Sequence, residues 1–136
     1  MRKILFRGKR KNNGAWIEGF YYEDIAGNSV ILSRPRDFGY ADAIDADPAT
    51  VGQYTGLKDK NGKRIFEGDI LRWTGEDGET GKVIVIFAGG SFLLKCVEVL
   101  DAPTDPFDEF DRGGQTLEVI GNIHDNPELL EGGEEG

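Results

Sequence analysis

Residues 53–73 constrain the fold more than any other segment, because two turn signals in it separate short apolar runs. Asn61-Gly62 is a dipeptide that readily adopts the two successive positive φ angles of a type I′ turn, so a hairpin is expected there. Gly68 precedes a second apolar run and allows a sharp turn before a new strand. The segment therefore predicts closely spaced β-strands. It contains no nucleophile paired with a base, no complete metal-ligand set and no phosphate loop.

The rest of the chain is typical of short strands joined by tight turns. It has 20 glycines in 136 residues, about twice the usual frequency. Helix is predicted only in a short segment that begins at Asn126-Pro127 and in a turn after Asp47-Pro48, since Asn and Asp cap helices and proline suits the first helical position. Trp16 and Trp73 are predicted to be packing anchors. Strands are predicted near residues 4–7, 15–22, 29–33, 53–57, 64–66, 69–74, 82–88, 91–99 and 115–123.

These segments resemble the YopX-like proteins of phages and prophages, which carry a QYTGLKDKNGK-I-EGD segment like residues 53–69 here. The resemblance extends to residues 1–8, 16–20 and 119–130. It is weakest at residues 34–46 and 98–114, which are predicted to be loops.

The resemblance implies a mainly β fold, with a small SH3-type barrel, an additional N-terminal β region and little helix. Residues 1–50 would form the N-terminal β region, packed on the barrel. Residues 51–130 would form the SH3-like barrel with a short C-terminal helix, and residues 131–136 a disordered tail. The family brings no catalytic activity that transfers to this chain.

Length and cysteine content favour one domain in a reducing compartment. A chain of this length buries about two-thirds of its unfolded surface, which sustains a core without a metal or a disulfide. The single Cys96 excludes an internal disulfide. No apolar run approaches the roughly 20 residues that cross a bilayer. We therefore expect a cytoplasmic protein that is neither secreted nor membrane-spanning.

Catalytic and metal sites are not expected. The alternative is a catalytic thiol–imidazole pair formed by Cys96 and His124. No helix N-terminus is predicted beside Cys96 to lower the pKa of its thiol. Glu67 and Asp69 form a carboxylate pair only if the glycine between them does not bend the chain, and we expect that it does. One Cys and one His are too few for a zinc site, and the acidic residues between 101 and 111 match no calcium loop. The sequence predicts a non-enzymatic protein without a metal or cofactor.

Two surfaces are candidates for protein binding. Residues 82–97 are apolar on both faces of a predicted hairpin, so Ile84 and Ile86 are predicted to face either the N-terminal region or another copy of the chain. The second candidate is a groove of the SH3 type, and the alternative is that its tyrosine packs at one end of the barrel. Its residues are Tyr54, Lys58, Lys60, Lys63 and Arg64.

Charge is unevenly distributed along the chain. Residues 1–12 contain six basic residues and no acid, whereas residues 98–136 contain twelve acids and one arginine. The formal net charge of −9 disfavours duplex binding, so nucleic acid is not the expected partner. The candidate nucleic-acid contacts are Arg7, Lys9, Arg10 and Lys11, and the alternative is that they form a solvated hairpin loop.

The sequence thus predicts an interaction or self-assembly module whose partners are itself and a phage or host protein. A nucleic-acid-associated accessory protein is the alternative.

Overall fold

The structure is a computed structural model that describes residues 4–33, 42–97 and 116–130 and the backbone of 105–106. The described residues are mainly β, as expected, and their helical segments are the two 3-10 turns Pro48–Thr50 and Pro127–Leu130, where short helical turns were predicted. The strands are β1 Phe6–Lys9, β2 Trp16–Glu23, β3 Ser29–Ser33, β4 Ala43–Asp45, β5 Gly52–Lys58, β6 Arg64–Phe66, β7 Asp69–Thr74, β8 Thr80–Ala88, β9 Ser91–Cys96, β10 Asp105–Pro106 and β11 Thr116–Asn122.

The chain divides into two compact units, Met1–Gly56 and Leu57–Gly136, and β5 crosses the division. A six-stranded sheet has the order β4-β3-β2-β1-β5-β6, with β6 belonging to the second unit, and the pairings among β1 to β5 are antiparallel. The sheet of the second unit has the order β10-β9-β8-β7-β11 and is also antiparallel. The SH3-type barrel is not confirmed, because the described strands form two antiparallel sheets without a closed barrel. The predicted disordered tail lies outside the described residues.

The core of the first unit includes the face of its sheet on the side of Gly19 and Tyr21, which we call the inner face. Ile31 and Ala46 are almost completely buried there. β1 and β4 approach each other at their ends, where Arg10 forms an isolated bridge with Ala46 and the Asp47 N–H donates to the carbonyl of Lys9 at 2.8 Å. On the other face Val30, paired with Tyr22, is also buried, whereas Phe20 and Tyr22 themselves are exposed.

The core of the second unit is a cluster of buried residues from β6, β7, β8, β9 and β11. Leu57 and Trp73 pack against it as partly buried residues, which confirms Trp73 as a packing anchor. Trp73 is paired with Gly81 on β8, and its indole ring occupies the space where a side chain on that glycine would lie. The buried members are Ile65, Leu71, Val83, Val85, Phe92, Leu94 and Leu117.

The hairpin predicted at Asn61-Gly62 is present, but its type I′ assignment is wrong. Gly62 has φ +83°, whereas no described residue other than glycine has a positive φ, so Asn61 cannot occupy the first position of such a turn. The Gly62 N–H instead donates to the carbonyl of Asp59, and the Asp59 N–H to that of Lys63. This is a type I turn followed by a left-handed glycine, the usual three-residue hairpin.

The side chain of Asp59 explains this turn type. Its Oδ1 accepts the N–H groups of Asn61 and Lys63, each at 2.9 Å, which holds the backbone in the type I form. Its Oδ2 accepts the N–H of Val119 on β11 at 2.9 Å. The Lys60 N–H also donates to the carbonyl of Leu117 at 2.9 Å. Asp59 thus fixes the hairpin and attaches it to the edge of β11.

We expect the stability of the protein to fall in acid partly through Asp59. Burial alone would raise the pKa of this carboxyl, but the N–H donors of Val119, Lys63 and Asn61 and the Lys63 charge hold its pKa below the ordinary value of about 3.9. A lowered folded-state pKa contributes stability that is present above the ordinary value and is lost as the pH falls through the folded-state value.

Urea unfolding from pH 7 to pH 3 measures this contribution, with Asp59→Asn as the comparison. The free energies of unfolding of wild type and variant should differ by a constant amount down to about pH 5 and converge below about pH 4. A difference that stays constant down to pH 3 would contradict the assignment.

Candidate interaction surface

Asp69, one of the two carboxylates considered as a pair, has a structural role in the turn between β6 and β7. Gly68 has φ +91° and separates β6 from β7, so the expected bend between Glu67 and Asp69 is confirmed and the two do not share a strand. Asp69 is only 1% exposed, and its Oδ2 accepts the N–H of Phe66 at 2.8 Å, which closes this turn. The Asp69 carboxylate thus binds a backbone N–H group of the turn.

Cys96 and His124 lie on different elements of the second unit. Cys96 is half-buried on β9, paired with Val83. His124 follows β11, and its Nε2 lies 3.8 Å from the position of a Cβ built on Gly68, beside the start of β7. In the sheet order β8 stands between β9 and β7, so Cys96 and His124 do not lie on neighbouring strands. No group of three or more His, Cys, Asp or Glu side chains able to hold a metal occurs within residues 4–33, 42–97 and 116–130.

The residues of the predicted groove fall in both units. Tyr54, in the first unit, is only 5% exposed. Such burial agrees with the alternative that this tyrosine packs in the fold rather than lining a groove. In the second unit, Lys58 and Lys63 are exposed and Arg64 is half-buried. Lys60 pairs with Glu118 at 3.8 Å, and both side chains are well exposed. A surface pair of this kind contributes about 0–1 kcal/mol and leaves the lysine accessible.

The predicted oligomer face is half-covered within a single chain. Ile84 and Ile86 are half-buried, and both point to the side of the sheet opposite Val83 and Val85. Ile84 is paired with Ile70, which is completely buried. The strongly exposed large apolar side chains of the described residues lie elsewhere.

The candidate nucleic-acid contacts are placed around one end of β1. Arg7 and Lys9 lie over the ring of Trp16, with the guanidinium carbon 4.5 Å and the lysine Nζ 5.4 Å from the ring centroid. Arg10 is half-buried and Lys11 is exposed. Trp16, predicted to be a packing anchor, is half-buried and forms a platform for two cations.

Strand register places these cations on one face with an aromatic row. Arg7 is paired with Glu18 and Lys9 with Trp16, and paired residues project from the same face of a sheet. Alternate residues along β2 continue this row to its end. We call this surface the outer face, and its residues are Arg7, Lys9, Trp16, Glu18, Phe20 and Tyr22.

The outer face carries large apolar side chains in contact with water. Phe20 is 57% and Tyr22 41% exposed, and Ile25, in the turn after β2, is fully exposed. By contrast, Gly19 on the opposite side of β2 is buried, and Tyr21 there is half-buried and packs on Phe6 with 5.4 Å between ring centroids. An exposed apolar row of this kind is typical of an interaction surface.

The two turns that flank β2 carry opposite charge. The turn between β1 and β2 is basic, with Arg10 and Lys11 beside the cations over Trp16. The turn between β2 and β3 begins at Asp24, after Glu23, the last residue of β2, which shares the side of Tyr21. The N–H groups of Asn28 and the Asn28 side chain hold the pKa of Asp24 below its ordinary value, so this turn is anionic at neutral pH.

Sequence reasoning did not identify Phe20 and Tyr22 as surface residues. The signal for them is the spacing of two along β2, which places Trp16, Phe20 and Tyr22 on one side. The opposite side also carries large side chains, including Ile17 and Tyr21, so the alternation alone does not show which side faces water.

No helix within the described residues has both the length and the apolar character that crossing a membrane requires.

Comparison with known proteins places most of the chain in one family. A family model described as "YopX protein" matches residues 5–131. The chain is 29% identical over 127 residues to the "SPbeta prophage-derived uncharacterized protein YopX" of Bacillus subtilis strain 168, which covers 85% of this chain and 91% of that protein. It is also similar in structure to protein EF1440 from Enterococcus faecalis, known from a crystal structure, with a TM-score of 0.59, 26% identity, and coverage of 96% of this chain and 100% of that one.

Proposed function

Because this chain belongs to the YopX protein family of phages and prophages, we propose that it is a non-enzymatic phage protein of the host cytoplasm that acts by binding protein chains, first of all other copies of itself. The exposed aromatic row on the outer face carries this proposal. Phe20 and Tyr22 leave apolar surface in water, and a partner chain that covers them gains the free energy of burying that area.

The residue types of the outer face support a protein partner. Tyrosine, tryptophan and arginine are enriched among the residues that dominate protein–protein binding energy, and the face contains all three in Tyr22, Trp16 and Arg7. It also carries Glu18 directly opposite Arg7. This mixture of charges favours a protein over nucleic acid, since phosphate binding needs an excess of cations.

The polar groups of the second unit support a role without catalysis. The carboxylates of Asp59 and Asp69 accept backbone N–H groups, and the Asn122 Oδ1 accepts those of His124 and Asp125. These groups hold turns in place. A side chain that is engaged in this way serves the fold rather than a reaction.

An SH3-type arrangement of the second unit is part of the proposal. It is supported by the hairpin at Asp59, which adds Leu57 and Ile65 to the core and joins its turn to β11. Lys58, Lys60 and Lys63 of this hairpin are exposed. They form another surface, on the second unit, to which a phage or host protein could bind.

Light scattering over a concentration series tests the proposed self-association. The wild type should increase in mass with concentration, and Phe20→Ser should remain monomeric over the same range, because serine removes the central apolar side chain of the outer face. We expect the apparent dissociation constant to rise at least about tenfold.

Phe87→Ser is the matched control. Phe87 is 45% exposed but lies on β8 of the second unit, against Phe92 at 4.9 Å between ring centroids. Its replacement should leave the mass unchanged. A wild type that is monomeric at all concentrations would contradict self-association, and the outer face would then be tested against phage and host proteins.

A further inference from the structure

We propose that Asn13 is a self-modification site, at which the chain converts its own side-chain amide into a carboxylate, and that the fold protects Asn61 from the same reaction. The chain contains two Asn-Gly steps, Asn13-Gly14 and Asn61-Gly62. This dipeptide gives the reaction little steric hindrance, because glycine has no Cβ beside the attacking nitrogen. The dipeptides alone give the two sites equal reactivity, so any difference comes from the fold. The inference does not depend on the proposed function.

The reaction consumes only water. The backbone nitrogen of Gly14 loses its proton and attacks the side-chain carbonyl carbon, Cγ, of Asn13, which closes a succinimide ring. The bond from Cγ to the side-chain amide nitrogen breaks, and that nitrogen takes up a proton and leaves as ammonia. Water then opens the ring at one of its two carbonyl carbons. The product at position 13 is aspartate or isoaspartate, depending on which carbonyl is attacked.

The turn between β1 and β2 prepares the Asn13 carbonyl for this attack. The Ala15 N–H donates to the Asn13 Oδ1 at 2.9 Å, which folds the side chain over the backbone of Gly14. Negative charge develops on Oδ1 when a nucleophile attacks Cγ, and a fixed N–H donor stabilises such charge. All three residues are exposed, so water reaches the ring. The turn therefore supplies both proximity and a donor for the developing oxyanion.

One requirement is the same at both sites. The Gly14 N–H donates to the carbonyl of Arg10 at 2.9 Å, and the Gly62 N–H donates to the carbonyl of Asp59 at 3.0 Å. The attacking nitrogen must be released from this bond in either turn. Asn61 and Gly62 are also exposed, as Asn13 and Gly14 are. Neither the bond nor the exposure distinguishes the two sites.

The Asp59 side chain distinguishes them, because it holds the Asn61 turn closed. Its Oδ1 accepts the Asn61 N–H, and its Oδ2 attaches the turn to Val119 on β11. Release and rotation of the Gly62 nitrogen then require a local opening, so the reaction is limited to the small population of the open form. In the described part of the chain, no carboxylate accepts an N–H of residues 10–15.

Modification of Asn13 changes the charge of the turn that precedes β2. The product carries a carboxylate in a turn that otherwise contributes Arg10 and Lys11. The same turn leads into Trp16, the platform for the cations of β1. In isoaspartate the main chain also runs through Cβ, which lengthens the turn by one carbon atom. The reaction thus yields a second form of the chain with altered charge beside this platform.

Peptide mapping by mass spectrometry tests the proposal on the chain kept in mildly alkaline buffer, either folded or unfolded in urea. A modified asparagine shows the mass change from –NH₂ to –OH, and enzymatic methylation detects isoaspartate. In urea the two sites should react at similar rates. In the folded chain Asn13 should react at least as fast as it does in urea, and Asn61 at least about tenfold more slowly than Asn13.

Asp59→Asn should remove the protection of Asn61. In the folded variant the Asn61 rate should rise at least about fivefold, while the Asn13 rate stays as in wild type. Asp24→Asn removes the same charge from another turn and is the matched control, which should change neither rate. Asn13→Gln should abolish the faster signal, because the longer side chain must close a larger ring. Thermal unfolding confirms that each variant is folded during the incubation.

The comparison of folded and unfolded wild type decides the matter even if a variant does not fold. An Asn61 that reacts as fast as Asn13 in the folded chain would overturn the protection. An Asn13 that reacts much more slowly in the folded chain than in urea would overturn the assistance by the Ala15 N–H. A difference between the sites that persists in urea would assign the selectivity to flanking sequence and overturn the inference.

Discussion

Gly19→Ala should destabilise the first unit more than any other single methyl addition in the described chain. A Cβ built on Gly19 lies 2.0 Å from the carbonyl oxygen of Leu32 and 3.1 Å from the side chain of Ile31. The oxygen belongs to the backbone of β3 and cannot move without breaking the β2–β3 pairing. We expect a loss of about 3 kcal/mol or more in the free energy of unfolding, measured by urea titration at a concentration where the protein is monomeric.

Glu18→Ala is the comparison for this substitution. Glu18 is the exposed neighbour of Gly19 on β2, so its truncation should cost less than about 1 kcal/mol. If the alanine at position 19 is tolerated as well as the one at position 18, the close approach of β2 and β3 is wrong.

Asp59→Asn should cost about 2–3 kcal/mol of unfolding free energy at pH 7, although it changes one oxygen into one nitrogen. One amide oxygen still accepts the N–H groups of Asn61 and Lys63, but the amide NH₂ then points at the N–H of Val119 and two donors face each other. Either that buried N–H stays unsatisfied, or the amide flips and the two turn N–H groups lose their acceptor. Urea unfolding at pH 7 measures the loss.

Asp24→Asn is the matched control, because Asp24 occupies the same first position in the turn between β2 and β3. Its carboxylate accepts the N–H and the side-chain amide of Asn28, both within its own turn and exposed. The substitution should cause a clearly smaller loss. Equal losses at the two positions would mean that the contact from Asp59 to β11 contributes nothing.

Most of the strand pattern is predictable from the sequence because turn residues divide it. β3, β6 and β7 occupy residues 29–33, 64–66 and 69–74, where they were predicted. Tight turns set these boundaries locally, and the apolar runs between them have the alternation of strands. The exact hairpin type was not predictable from Asn61-Gly62, since the preceding Asp59 stabilises a competing turn with its side chain.

β4 was not predicted, and the reason is physical. Its three residues, Ala43–Asp45, contain one large apolar side chain and show no periodic pattern. The strand forms because its backbone pairs along the edge of β3. In the segment that follows, the Asp47 N–H donates to the carbonyl of Lys9 at the end of β1. Pairing of this kind is set by the tertiary fold rather than by local propensity.

The candidate interaction surface was predictable only in part. The cations of β1 stood out as a basic cluster in the sequence, but their neighbours on the face come from register with β2. Both sides of β2 are apolar enough to be buried. The side chosen for the core is the one with Gly19, where β3 comes close enough to exclude any side chain.

The hydrogen bond from Asp59 to Val119 has a consequence for the order in which the chain folds. The two residues are 60 positions apart, so the turn at Asp59 can form early and locally while its third donor arrives only with the last strand. During synthesis, the N-terminal unit and the hairpin leave the ribosome well before β11. The second unit therefore completes its core only once β11 has left the ribosome.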